Sequence, residues 1–185
     1  MGFKVNQELK EKIKKIKLLI LDVDGVMTDG RIIYDSEGHE LRIFDAQDGT
    51  GVIMLFNAGI KTMLVTILPS KAIERRAKEL KVEKVYQGII PKTKVLEEIL
   101  SENDISKEHI CYVGDDLVDL GVMKAVGFPA APVNACGEVK ETACYVTQKE
   151  GGRGAVREIA ELILKTQGKW EELIEKGYSK QPPES

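Results

Sequence analysis

The chain is poor in the residues on which many small proteins rely. Its 185 residues include three cysteines, two histidines and one tryptophan, and aromatic residues make up only 5%. Cys111, Cys136 and Cys144 have no close C-x-x-C spacing, so neither a disulfide framework nor a zinc site is indicated. Cys111 lies in the apolar stretch ICYVG and reads as a core thiol. His39, at a turn, and His109, before a strand, read as surface residues rather than ligands. No apolar run approaches the ~20 residues that span a bilayer, and the segment up to Lys17 carries charges where a secretory leader needs an apolar stretch. A cytoplasmic protein without a membrane partner is expected. Excess positive charge is also missing: the net charge is −3, which argues against a nucleic-acid surface. An anionic substrate would need local positive groups rather than a global field.

What is present is an ordinary globular composition, 43% hydrophobic and 31% charged. The length suits one domain, expected over residues 1–175. Pro182-Pro183 mark residues 176–185 as a loose, flexible tail. The Lys10 to Lys17 charge run reads as a solvated helix face.

The run Leu18 to Leu21 reads as a buried strand ending in Asp22-Val23-Asp24-Gly25. Arg31 to Tyr34 and Glu40 to Phe44 flank a polar, glycine-containing turn and predict a β-hairpin. Beyond it, helices are expected over Gly49 to Asn57, Ser70 to Leu80, Lys92 to Asn103, Leu117 to Ala125, Val139 to Ala143 and Gly154 to Thr166. Strands are expected over Lys61 to Thr66, Val82 to Tyr86, Ile110 to Val113, Phe128 to Ala131 and Tyr145 to Thr147. This alternation implies an α/β fold: a doubly wound, mostly parallel, Rossmann-like sheet with a small β-hairpin insertion.

Ligands of such sheets bind at the carboxyl ends of the strands. Read together, those ends carry Asp22 and Asp24, Thr66, Lys92, and Gly114-Asp115-Asp116 with Asp119. Three or four converging carboxylates repel one another unless a cation compensates, and Mg²⁺ fits because it takes oxygen ligands and few carboxylates. Thr66 offers a hydroxyl, and Lys92 a positive charge on a mobile stem, to a phosphate. Asp22 is an anion at neutral pH and needs no base to attack phosphorus. Repulsion from the phosphate, about 4 kcal/mol for one charge pair at ~4 Å and an effective dielectric of ~20, is what Mg²⁺ and Lys92 would remove. Asp24 would protonate the leaving alkoxide and then activate water.

These residues resemble the haloacid dehalogenase-like phosphatases, whose four motifs match Asp22-Val23-Asp24-Gly25, Thr66, Lys92 and Gly114-Asp115-Asp116-Leu117-Val118-Asp119 in order. The resemblance implies Asp22 as nucleophile and metal ligand, and Asp24 as acid/base with a metal-binding backbone carbonyl. It implies Asp115 as metal ligand, Thr66 and Lys92 as phosphate binders, and Asp116 and Asp119 as groups that orient water and ligands.

The segments DVDGVMTDG, Asp48-Gly49-Thr50-Gly51, Tyr86-Gln87-Gly88, VGDDLVD and Gly151-Gly152-Arg153-Gly154 extend the resemblance. They point to the branch that includes 3-deoxy-D-manno-octulosonate 8-phosphate phosphatase. That branch implies a domain without a separate cap. It also implies a homotetramer in which neighbouring subunits close the site through the hairpin and the C-terminal segment. Its substrate is a small phosphorylated sugar acid, contacted also by Asp48, Gly49, Arg76 and a neighbour's Arg153.

The chain departs from the branch in two places, at three residues. Ile67-Leu68 stand where Gly-Arg is usual, and Ile53 where a basic residue is. A phosphatase for a sialic-acid-type 9-phosphate or another sugar phosphate therefore stays open, as does a non-catalytic binding relative.

Overall fold

The computed structural model describes residues 5–175. The expectation of a loose tail over residues 176–185 lies outside them. In chain order the elements are α1 (Gln7–Lys14), β1 (Leu18–Leu21), β2 (Ile33–Tyr34), β3 (Glu40–Leu41), α2 (Ala46–Asn57) and β4 (Lys61–Thr66). There follow α3 (Lys71–Glu79), β5 (Lys84–Gln87), α4 (Lys92–Glu102), β6 (Ile110–Val113), α5 (Leu120–Met123) and β7 (Phe128–Ala131). The last are α6 (Gly137–Thr142), β8 (Tyr145–Val146), α7 (Ala155–Thr166) and α8 (Trp170–Glu175).

Six strands form one parallel sheet in the order β5-β4-β1-β6-β7-β8, while β2 and β3 make a separate antiparallel ribbon. This is the doubly wound α/β architecture that the sequence predicts. The central strand explains why its run is continuously apolar. Leu19 and Leu21 face a cluster built with α1, α2, α3 and α7, and Leu18 and Ile20 face a second cluster with α4, α5 and α6. Pairing of β1 with both β4 and β6 puts the sheet's change of direction at its centre, so the crevice lies where Leu21, Thr66 and Val113 end their strands. Cys111 is fully buried on β6, as expected for a core thiol.

Several boundaries differ from expectation, each for a local reason. Helix α2 starts at Ala46, not Gly49, because Asp45 caps it, accepting from Gln47 N at 2.7 Å and Asp48 N at 3.0 Å. Gly49 and Gly51 disguise its first turns. A side chain at Gly51 would crowd Ala160 and Arg157 on α7, so the helices need a glycine there to pack this closely. The segment after Asp116 is a 3₁₀ turn, Leu117–Asp119, before the short α5 rather than one helix. There Asp116 accepts from Leu117 N at 2.8 Å, and the Asp119 carboxylate is drawn inward. Strand β5 sits later than Val82 to Tyr86, and the hairpin pairs only Ile33 with Leu41 and Tyr34 with Glu40. Regular structure does not end at Thr166. Helix α8 follows, with Trp170 lying over the Arg157 guanidinium at 5.3 Å.

Candidate active site

Asp22 is the first residue beyond β1. Its N–H continues the ladder by donating to Val113 O at 3.0 Å, which leaves its side chain at the crevice with only 6% exposure. One carboxylate oxygen accepts from Val23 N at 2.7 Å and pairs with Lys92 Nζ at 2.8 Å. The chain then turns sharply at Gly25, whose φ is +87°. A Cβ there would stand 1.9 Å from the Asp115 carboxylate, so only glycine lets the two loops meet.

Lys92 opens α4, and its ammonium is buried between Asp22 and Asp119, the latter at 2.7 Å. The mobile stem expected from the sequence is therefore not what the fold provides. Two carboxylates fix the ammonium at 1% side-chain exposure. Burial works against its charge, but Asp22 and Asp119 outweigh that and hold its pKa above the ordinary lysine value.

Asp119 is itself saturated. One oxygen accepts from Lys92 Nζ and from the Tyr112 hydroxyl at 2.6 Å, the other from Asp115 N at 3.0 Å and Asp116 N at 3.3 Å. A carboxylate has about four acceptor positions, so Asp119 serves as an anchor with none left over.

Asp22, Asp115 and Asp119 bring carboxylate oxygens within 4.8 Å of one another. With Asp119 filled, Asp22 and Asp115 are the pair open to a cation. Asp115 Oδ1 is buried and makes no hydrogen bond within the protein, an arrangement that costs free energy unless a ligand satisfies it. The electrostatics agree. Burial, then repulsion from Asp119, raises the Asp22 pKa to about 7 despite Lys92, so without a cation the carboxyl is only partly ionised at neutral pH rather than the ready anion expected from the sequence. Burial, then Asp22 and Asp119, raises Asp115 likewise to about 7.

Asp24 lies beside this cluster. Its carboxylate accepts from the Arg42 guanidinium through one oxygen and from Thr66 Oγ1 at 3.4 Å through the other. Arg42 and Tyr112 escaped the sequence reading. The signal for Arg42 was alternation: in Glu40-Leu41-Arg42-Ile43 the apolar residues are exposed and the arginine, 3% exposed, points inward. Tyr112 sits in a wholly apolar strand, and nothing in the pattern singled out its hydroxyl.

The other residues expected at the substrate have partners of their own within the chain. Asp48 is buried, and its carboxylate accepts from Gly154 N at 3.3 Å and Arg157 N at 2.8 Å, so it caps α7 rather than facing the cluster. Burial raises its pKa to about 6, and those backbone donors limit the rise. Gly49 packs under Arg76, which donates to Asp45 O at 3.2 Å and lies over Phe44. Asp116 is an exposed turn cap. Arg153 is 60% exposed, pairs with Asp29 at 3.6 Å, and helps line a cavity of about 310 Å³ with Asp29, Arg31, Asn134, Glu150 and Gly151. Ile53, where a basic residue was expected, is part of the core.

Known proteins place this geometry. Residues 68–159 match the haloacid dehalogenase-like hydrolase family. The 3-deoxy-D-manno-octulosonate 8-phosphate phosphatase of Escherichia coli K12 is 39% identical over 175 residues, 95% of this chain and 92% of that one. The same enzyme from Moraxella catarrhalis, solved in complex with a magnesium ion, a phosphate ion and a KDO molecule, superimposes with a TM-score of 0.90. It is 40% identical and covers 93% of this chain and 99% of its own. A cobalt-bound deoxy-D-mannose-octulosonate 8-phosphate phosphatase from Haemophilus influenzae gives a TM-score of 0.82 at 34% identity, covering 85% of this chain and 92% of its own. With 39% identity over 95% of its length and a shared fold, the chain belongs to the haloacid dehalogenase-like phosphatases, in the 3-deoxy-D-manno-octulosonate 8-phosphate phosphatase branch.

Proposed function

We propose that this phosphatase converts 3-deoxy-D-manno-octulosonate 8-phosphate to 3-deoxy-D-manno-octulosonate and phosphate, with Mg²⁺ and an aspartyl-phosphate intermediate. The observation that carries the chemistry is the Asp22–Lys92 pair beside the unsatisfied Asp115 oxygen. The substrate rests on the relatives.

Asp22 attacks phosphorus through its outer oxygen, and the ester P–O bond breaks as Asp24 gives a proton to the leaving alkoxide. Water then attacks the same phosphorus, Asp24 takes its proton, and the Asp22–phosphate bond breaks to restore the carboxylate. Lys92 keeps Asp22 oriented, and the Thr66 hydroxyl lies within reach of a phosphate oxygen. Asp22, Asp115 and the Asp24 carbonyl would hold Mg²⁺, which when bound supplies positive charge to the transferring phosphoryl group.

Proton uptake gives this metal site a testable sign. Two carboxyl groups whose folded pKa lies near 7, above the ordinary carboxylate value, contribute stability that is present at low pH and lost as pH rises through about 7. The cation compensates only the ionised forms. Mg²⁺ is therefore expected to raise the unfolding temperature more at pH 8 than at pH 6, measured by thermal melts with and without the metal. Equal gains at both values would contradict the site.

Ile67 and Leu68 follow Thr66 directly, and Leu68 is exposed there, which favours keeping a nine-carbon 9-phosphate as the second reading. A panel of sugar-acid phosphates decides. The octulosonate 8-phosphate is expected to lead in kcat/KM by at least about tenfold, and a flat profile would sink the assignment.

Assembly is part of the proposal. Ile32, Tyr34, Leu41 and Ile43 are each more than half exposed on the hairpin, the first two on one side of the ribbon and the last two on the other, and this exposed apolar surface is suited to other copies in a homotetramer. Light scattering at the mass of one chain would refute it. Among the described residues no helix is long and apolar enough to cross a membrane, and the reading is of a cytoplasmic enzyme without a nucleic-acid or membrane partner.

A further inference from the structure

The hairpin reaches into the site through one side chain. Strands β2 and β3 pair over only two residues each, too little to stand alone in water, so the ribbon's place depends on what it touches. Arg42, just past β3, turns inward between exposed Leu41 and Ile43. Its Nε donates to Glu40 Oε1 at 2.6 Å, which fixes the plane of the guanidinium, and its Nη1 donates to Asp24 Oδ1. Thr66 Oγ1 donates to Asp24 Oδ2 from the other side.

A guanidinium donates and never accepts. Held this way, Asp24 Oδ1 can only accept, while Oδ2 faces the Thr66 hydroxyl, which can donate or accept, and is the oxygen left to take a proton from water. In the proposed cycle that job belongs to the second half, when water attacks the aspartyl-phosphate. Resting on the acid–base reading of Asp24 above, we infer that Arg42 is a positioning residue that sets Asp24 as the base for hydrolysis of the phosphoenzyme. The hairpin is thereby coupled to turnover. In this step the water O–P bond forms, the Asp22 O–P bond breaks, and the water proton passes to Asp24. Arg42 exchanges no proton.

The test separates the two halves of the reaction with p-nitrophenyl phosphate, whose leaving group departs without a proton. Rapid-quench measurements give the rate constant of first-turnover nitrophenolate release and that of phosphoenzyme hydrolysis. For Arg42→Met, hydrolysis is expected to slow about 10- to 100-fold while formation changes less than about threefold, so that phosphoenzyme accumulates as a burst. Should Arg42→Met fail to fold by circular dichroism, Arg42→Lys carries the test, with the same split expected at smaller size. An equal loss in both halves overturns the proposal, as does a raised KM with hydrolysis unchanged, since Arg42 would then act on structure or substrate.

Asp24→Asn is run beside them. If it slows hydrolysis and the Arg42 variants do not, the inference about Arg42 alone falls. If it changes neither rate constant by more than threefold, the acid–base reading falls, and the role inferred for Arg42 with it.

Discussion

Asp22→Asn is expected to abolish turnover, lowering kcat by at least about 10⁴-fold, with no phosphate bound covalently to the quenched protein. The amide can still accept from Val23 N and Lys92 through its oxygen, so the positions of the neighbouring groups survive. It cannot form the acyl phosphate. The substitution also removes one of the three clustered carboxylates, so the metal-free fold should not suffer at neutral pH. Thermal melts taken with the rates separate the two effects. An unfolding temperature at or above that of the parent, with activity lost, locates the defect in the chemistry. A variant that keeps activity within tenfold of the parent would show that Asp22 is not the nucleophile.

Lys92→Met is expected to damage both chemistry and fold. Its ammonium is the positive partner of Asp22 and Asp119, and methionine leaves those charges buried and uncompensated beside Asp115. Breaking a buried pair from one side typically costs about 3–5 kcal/mol, which for a domain of this size lowers the unfolding temperature by roughly 10 °C. The loss carries a sign in pH. Without the lysine, the Asp22 and Asp115 carboxyl groups hold their protons to still higher pH, so the variant regains stability as pH falls. Metal-free melts at pH 5.5 and pH 8 should therefore show a smaller deficit at the lower value. An equal deficit at both would mean that lost packing, not stranded charge, is the cause.

The sheet was legible because its strands are short apolar runs that stop at polar residues. The same stops delivered Asp22, Thr66, Lys92 and Asp115 as a set, since a parallel sheet gathers its strand ends at one edge. What escaped shares a different character. The start of α2 was hidden by Gly49 and Gly51, glycines that depress helix propensity but allow α7 to pack closely. Arg42 belongs to an edge ribbon, where a charged residue ordinarily faces water. Tyr112 spends its single polar atom on Asp119 from inside the core. Asp48 shows the converse: a carboxylate directly before Gly49-Thr50-Gly51 looks like a ligand, yet within the fold it is buried and accepts from backbone donors 106 and 109 residues away. One-dimensional pattern reports which face a residue takes. It does not report which distant donor waits there.

Asp119 shows how such distant donors bind the site to the history of the chain. Its partners come from the first residue of α4, the middle of β6 and the loop beyond, and through Lys92 it meets the end of β1. Only a contiguous fragment that begins at or before Asp22 and runs through Asp119 contains all of these groups. A nascent or nicked chain can therefore collapse and build several helices while its lysine still lacks a seat. In a refolding chain, the seated lysine would mark closure of the two halves of the sheet around β1.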